Sequence, residues 1–242
     1  MPKPVLIFGA TGGVGSSLAG MLAARDQPLF LSGRDSDALA TLANTHGAQS
    51  LAGDVTNTDD IARIVDAAAT DEGLAGLAFC VGSIDLKPLR RVTVDDLAKA
   101  FHLNAIAAAM AVQHAAPALK QANGSVVLFS TIAVEQGFTN HAIVSAAKGA
   151  VEGLGRALAA DLAPDVRVNI VAPSLMTTKM ASAITSSDAM AQGIAKLHPI
   201  PRLGEADDAA ALAAFLLSDH APWITGQVMR VDGGRSHLRT KG

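Results

Sequence analysis

Tyrosine is absent from this sequence, and cysteine and tryptophan occur once each among its 242 residues. Without tyrosine, no phenol can carry a proton in any reaction the chain performs. The single cysteine, Cys80, excludes an intrachain disulfide, and a reducing, cytoplasmic compartment is expected. Charge is scarce too: 17% of residues are charged, the net charge is −3, and no dense Lys/Arg cluster offers nucleic acid or an anionic membrane a footprint. Neither is expected as a partner. Long apolar runs are also missing. Val5 to Phe8, which follows Met1-Pro2-Lys3-Pro4, is too short for a signal-peptide core. Asn104 to Ala118 is broken by Gln113, His114 and Pro117, and so reads as a buried helix and not a membrane span. A soluble protein is expected.

What is present is apolar and small-residue rich. Half of the residues (50%) are hydrophobic, much of that alanine, with 22 glycines, and the length suits one large α/β domain spanning 1–242. Short runs of Val, Ile, Leu and Phe near 4–8, 28–32, 48–52, 75–80, 125–130, 166–171 and 227–231 alternate with helical patterns near 14–25, 36–46, 58–70, 94–118, 140–162 and 205–217. That alternation predicts a single-domain Rossmann fold, a doubly wound seven-stranded parallel sheet with helices on both faces. Asp35 or Ser36, Thr58 and Thr93 are the expected N-caps. A stretch at 175–200 has weak periodicity and ends at His198-Pro199-Ile200-Pro201, as a lid over a substrate site would.

Chemistry enters with Gly9-Ala10-Thr11-Gly12-Gly13-Val14-Gly15, which follows the first strand and opens the first helix. Glycines in that context allow a tight turn and close approach of the backbone to a pyrophosphate, while the helix N-terminus faces the negative charge. A dinucleotide is the expected ligand. The second strand ends Leu31-Ser32-Gly33-Arg34-Asp35. Arg34 would pair with a 2′-phosphate and favours NADP, whereas Asp35 as a ribose ligand would point to NAD. Gly53-Asp54-Val55, after the third strand, offers Asp54 to the adenine amino group or is an ordinary turn.

Further segments carry a resemblance. The loop spaces its glycines Gly9-x-x-x-Gly13-x-Gly15 with Thr11 inside, and Arg167-Val168-Asn169-Ile170-Val171-Ala172-Pro173 is followed by Thr178 and Met180. Pro201-Arg202-Leu203-Gly204 leads to Phe215-Leu216-Leu217-Ser218, and Ile224-Thr225-Gly226-Gln227 leads to Val231-Asp232-Gly233-Gly234. From Val5 to Gly234 the chain is similar to the short-chain dehydrogenase/reductase family. The resemblance implies that Thr178 and Met180 lie around the nicotinamide carboxamide. It makes Lys148 the lysine that holds the nicotinamide ribose, Asn104 the fourth-helix asparagine that supports a helix kink and a water relay, and Thr131, beside Ser130, the hydroxyl that orients substrate. It also implies a homotetramer or homodimer acting on a small molecule, with helices 94–118 and 140–162 and the last strand at the contacts.

The pattern breaks at its centre. Four residues before Lys148, where the family has its tyrosine, stands Val144, and the family's Asn-Asn-Ala-Gly is replaced by Phe79-Cys80-Val81-Gly82. His141 lies seven residues before Lys148, about two helical turns, so both side chains can share a face. Enoyl-carrier-protein reductases, relatives of this family, place their tyrosine at that separation, which makes His141 a candidate acid or base; its alternative is a cap or an exposed polar residue. His114 and His198 are weaker candidates, Ser145 is a packing residue, and Cys80 is expected to be buried and inert. Two functions follow: an oxidoreductase moving hydride to or from a carbonyl, alcohol or activated alkene with a non-tyrosine proton donor, or a dinucleotide-binding sensor or inactive partner subunit. The 175–200 lid and the loop from Ile84 to Arg91 are expected to select the substrate.

Overall fold

A computed structural model describes residues 3–182, 184–185 and 187–240. Within them seven strands, β1 (Val5–Phe8), β2 (Leu29–Gly33), β3 (Gln49–Ala52), β4 (Gly76–Phe79), β5 (Ser125–Phe129), β6 (Arg167–Pro173) and β7 (Val228–Val231), form one sheet in the order β3-β2-β1-β4-β5-β6-β7. Every neighbouring pair is parallel. Side chains alternate across a strand, and both faces are dry: Leu6 and Phe8 pack with Ile64, Leu119 and Val151 on one side, while Val5 and Ile7 pack with Leu18, Leu31 and Leu216 on the other. Each such side chain contributes about 1.5–3 kcal/mol of transfer free energy. The sequence-predicted doubly wound α/β fold is what the chain adopts.

The helices are α1 (Gly13–Ala23), α2 (Ser36–His46), α3 (Thr58–Ala68), α4 (Val94–Phe101), α5 (Ala107–Ala122), α6 (Ala142–Leu162), α7 (Asp188–Ala195) and α8 (Ala206–Leu217). Asp35 caps α2, accepting from the amides of Asp37 and Ala38, and Thr93 forms a reciprocal capping box with Asp96 on α4. The third cap differs from expectation: Asn57, not Thr58, accepts from the Asp59 amide, because the extended residue one place earlier carries the better-reaching amide oxygen. The expected single helix over 94–118 is also two helices. A π-helical turn, His102–Ile106, separates them, and the second runs to Ala122 with Pro117 inside it. The 175–200 stretch, expected to have weak periodicity, contains among its described residues the short helix α7, capped by Ser187. Among the described residues no helix is long and apolar enough to cross a membrane.

Strand order dictates where a site can form. β1 has β2 on one side and β4 on the other, so the connections leave the sheet in opposite directions and open a crevice beyond the carboxyl ends of β1 and β4.

Candidate functional site

The crevice is floored by the turn after β1. Gly9 adopts φ of +73°, and a side chain there would put its Cβ 2.9 Å from the Cys80 carbonyl oxygen at the end of β4. Gly15 is tighter, with an added Cβ 2.3 Å from the Gly9 carbonyl oxygen, so α1 starts in direct contact with the turn. The N-cap of α1 is Gly12, without a side-chain cap hydrogen bond. Its first-turn amides therefore lack side-chain acceptors, and the helix start points its positive end into the crevice. Thr178, a few residues after β6, lies close to Gly13, whose added Cβ would meet Thr178 Cγ2 at 2.9 Å. An uncapped helix start whose glycine positions leave no room for a Cβ fits a pyrophosphate.

One end of the crevice lies beside β2 and β3. Gly33 abuts Thr11, whose Oγ1 would be 3.1 Å from an added Cβ. Asp35 is committed to capping α2, with Oδ1 bonded to two amides at 3.2 and 3.0 Å, while Arg34 is exposed. Asp54 accepts from the Thr56 amide at 2.9 Å and hydroxyl at 2.8 Å; these bonds, helped by the Arg34 guanidinium, hold its carboxyl below the usual range. Val55 is buried beside it.

At the other end Lys148, on α6, is buried and donates from Nζ to the Phe129 carbonyl at 2.9 Å. Burial lowers its pKa to about 8, opposed weakly by Cys80. Cys80, partly buried with its thiol pushed up to about 12 by burial, is protonated and unreactive, as expected from the sequence. The π turn explains Asn104: its Nδ2 donates to the Ala100 carbonyl at 2.8 Å, filling the bond that the widened turn leaves open. Its Oδ1 is buried without a partner among the described residues. That oxygen and Lys148 Nζ converge on Gly82, where an added Cβ would lie 2.8 and 2.9 Å from them. A lysine and an unmatched acceptor thus face one small space, which fits a ribose hydroxyl or a water.

A cavity of about 280 Å³ opens at this Lys148 end of the crevice. It is lined by Val14, Gly82, Thr131, Val144, Lys148 and Thr178, and also by Cys80, Ser130, His141, Pro173 and Met180. Thr131 stands in extended conformation at the end of β5, its Oγ1 accepting from Ala133 at 3.3 Å. Ser130 differs: its hydroxyl donates to Glu152 Oε1 at 2.9 Å, and Glu152 is paired with Arg156. His141 precedes α6 with Nδ1 2.8 Å from the Thr139 carbonyl, and its ring packs 5.3 Å from Phe138. A carbonyl accepts only from N–H, so Nδ1 carries the proton and Nε2 is the nitrogen free to exchange one.

Other histidines lie elsewhere. His114 is exposed on α5. His198 is buried, its Nδ1 2.9 Å from the Ile194 carbonyl and its Nε2 2.8 Å from Ser174 Oγ, so it fastens the stretch after α7 to the end of β6. Ser145 Oγ donates to the Ala133 carbonyl at 2.8 Å and holds the turn after β5. Ile84 and Leu86 of the 84–91 loop line the cavity, as the sequence suggested for that loop. Phe138, Ser174 and Arg235 also line it, and the sequence reading had not singled them out. None belongs to a local motif; each reaches the site from a loop or strand end that the fold alone brings in.

The site can now be set against known proteins. A family model described as enoyl-(acyl carrier protein) reductase matches residues 9–236. The 3-oxoacyl-acyl-carrier-protein reductase of Bos taurus is 30% identical over 241 residues, covering 97% of this chain and 98% of the relative. A short-chain type dehydrogenase/reductase from Mycobacterium ulcerans superposes with a TM-score of 0.92 at 32% identity, covering 98% of this chain and 90% of that one. A gluconate 5-dehydrogenase from Burkholderia cenocepacia J2315, solved in complex with NADP and tartrate, gives a TM-score of 0.91 at 25% identity over 98% and 96% of the two chains.

Proposed function

Because the chain belongs to the short-chain dehydrogenase/reductase family of NAD(P)-dependent oxidoreductases, we propose that it moves hydride between NADP and a carbonyl, alcohol or activated alkene without a tyrosine. The observation that carries this reading is the buried Lys148 beside Thr131 and His141 in one cavity, in a chain with no tyrosine and with Val144 four residues before the lysine. The bound nicotinamide supplies or takes the hydride. Lys148 holds the nicotinamide ribose, Thr131 donates to the substrate oxygen, and His141 Nε2 gives or receives the proton. Asn104 positions the lysine's surroundings. Ser130, its hydroxyl occupied by Glu152, braces α6 against β5.

The choice of NADP follows from Arg34 and Asp35. A carboxylate spent on two helix amides is a poor ribose ligand, while an exposed guanidinium next to the same turn suits a phosphate. Gly9, Thr11, Gly12, Gly13, Val14 and Gly15 would carry the pyrophosphate, Asp54 and Val55 the adenine, and Cys80, Gly82, Pro173 and Thr178 the nicotinamide side. Arg34→Ala should weaken NADPH binding about 10- to 100-fold and leave NADH binding within about threefold, a split that fluorescence titration reads directly. Equal losses for both cofactors would remove the argument for NADP.

The expected assembly is a homodimer or homotetramer. In support, Val94, Leu97, Phe101 and Ile106 are exposed along α4 and the π turn. The oxidoreductase reading is tested with NADPH and a panel of ketones and enones. His141→Ala should lower turnover about 100-fold while the NADPH dissociation constant stays within about threefold. Binding of NADPH with no turnover across the panel would instead support a sensor or an inactive partner subunit.

A further inference from the structure

Charge in the cavity is one-sided. Its titratable lining residues are Cys80, His141, Lys148 and Arg235, and no aspartate or glutamate is among them. Arg235 comes from the segment after β7. Its guanidinium sits over the Phe138 ring, 4.8 Å from the centroid, and makes no hydrogen bond or ion pair among the described residues. By contrast, Arg63, Arg156, Arg202 and Arg230 each pair with a carboxylate.

This arrangement is held in place. Asp232 accepts from the amides of Gly234 and Ser236 at 2.9 and 2.8 Å and from the Ser236 hydroxyl, which folds the segment into a compact turn. Gln136 donates to the carbonyls of Arg235 and Ser236, and the Arg230–Glu135 ion pair ties the same two stretches together. The tether fixes the backbone beside Phe138 and leaves the guanidinium facing the cavity. Asp232 in the same turn favours its charge from a distance but makes no ion pair with it, and the ring attracts the charge without accepting its N–H groups, so the donors of this half-buried guanidinium stay unmatched among the described residues. An oxyanion would complete it, and the planar fork of arginine matches a carboxylate with two parallel hydrogen bonds. Much of the remaining wall, including Leu86, Ile132, Leu175, Met176, Met180 and Ala181, is apolar.

We propose that Arg235 receives a carboxylate of the substrate, so that the compounds accepted are apolar-bodied carboxylic acids bearing the reducible group. This rests on the oxidoreductase reading for the second half of its statement only; the anion site stands on the cavity itself. Arg235 stacks on Phe138, whose ring packs beside His141, so the guanidinium goes with the proton donor proposed above and hence with substrate.

Two measurements on the full chain test it. By calorimetry, with and without NADPH, benzoate should bind at least tenfold more tightly than benzamide, and Arg235→Leu should erase the difference while Arg235→Lys keeps part of it. NADPH affinity should be unchanged in both variants. Benzamide binding as tightly as benzoate to the unaltered protein, a benzoate preference that survives Arg235→Leu, or a loss of NADPH affinity in place of benzoate affinity would each overturn the proposal. In turnover, benzoylformate should exceed its methyl ester in kcat/KM by at least tenfold, through KM. If benzoate selectivity holds and depends on Arg235 but neither keto compound is reduced, the anion site is supported and it is the oxidoreductase reading that fails.

Discussion

Lys148→Met is expected to lower turnover by at least about 100-fold and to weaken NADPH binding, while leaving the protein folded and altering how its stability depends on pH. Both effects come from one buried ammonium. Its pKa is lowered from 10.5 to about 8 by burial, so between those values the native lysine is neutral while the unfolded chain still holds the proton. The unfolded state then binds more protons, and stability rises with pH through that window. The rise is on the order of 3 kcal/mol over the window. Below about pH 8 both states are protonated and the native state carries the full desolvation cost.

Cys80 acts in the opposite direction. Its thiol is raised from 9.0 to about 12, so above pH 9 the unfolded chain loses a proton that the native state keeps, and stability falls. Comparing Lys148→Met with the unaltered protein removes most of that contribution, since Cys80 is present in both and is shifted chiefly by burial. Urea unfolding at intervals from pH 7 to 10.5, without cofactor, should show the variant's relative stability greatest at pH 7 and declining toward pH 10.5. A difference that stays flat across the range would mean that the lysine is well solvated. The functional half of the prediction would then lose its physical basis, since a solvated lysine would not sit at the cavity floor.

Gly15→Ala should be the most damaging single methyl in the chain's cofactor loop. The new Cβ meets the Gly9 carbonyl oxygen at 2.3 Å, the Ala10 Cα at 2.9 Å and the Gly9 carbonyl carbon at 3.0 Å, all backbone atoms that cannot swing away. Either α1 lifts from β1 or the turn opens, and each spoils the geometry that brings the helix start to a pyrophosphate. Overpacking costs about 1–3 kcal/mol where side chains can adjust. With backbone on the receiving side, on the order of 3 kcal/mol is expected, a fall in Tm of about 6–12 °C for a chain of this size. NADPH affinity should drop at least about 100-fold. Gly20→Ala is the control on the same helix: its nearest neighbour would be a His46 ring carbon at 3.6 Å, an ordinary contact. That variant should gain about 0.5–1 kcal/mol from helix propensity and bind cofactor normally. Equal thermal shifts in the two variants would show that the Gly15 contact is not what fixes α1 against the turn.

The sequence by itself determined the parts that local periodicity encodes. Apolar runs marked the central strands, which are buried on both faces, while the edge strands β3 and β7, with polar Gln49, Ser50 and Arg230, followed from the alternation with helices; the glycine spacing after Phe8 marked the uncapped helix start. Lys148 was legible from its motif, and Asp35 and Thr93 were legible as caps because an N-cap is chosen within four residues of chain. The missing phenol needed only the composition. Tertiary structure decided what depends on residues far apart in the chain. The π turn that buries Asn104 cannot be read from a pattern of small apolar residues, since α-helix and π turn bury nearly the same positions there. Ser130 and Thr131 look equivalent in sequence; only the position of Glu152 on α6 takes one hydroxyl out of use. His198 resembled a lid residue until Ser174, 24 residues away, supplied its partner. Arg235 stands about 100 residues from the Gln136 side chain that fastens its backbone, and its guanidinium reaches the cavity only because the sheet order carries the segment after β7 back over Phe138. Periodicity records which face of an element is dry, whereas a site at the ends of parallel strands is made by the order in which those strands lie side by side.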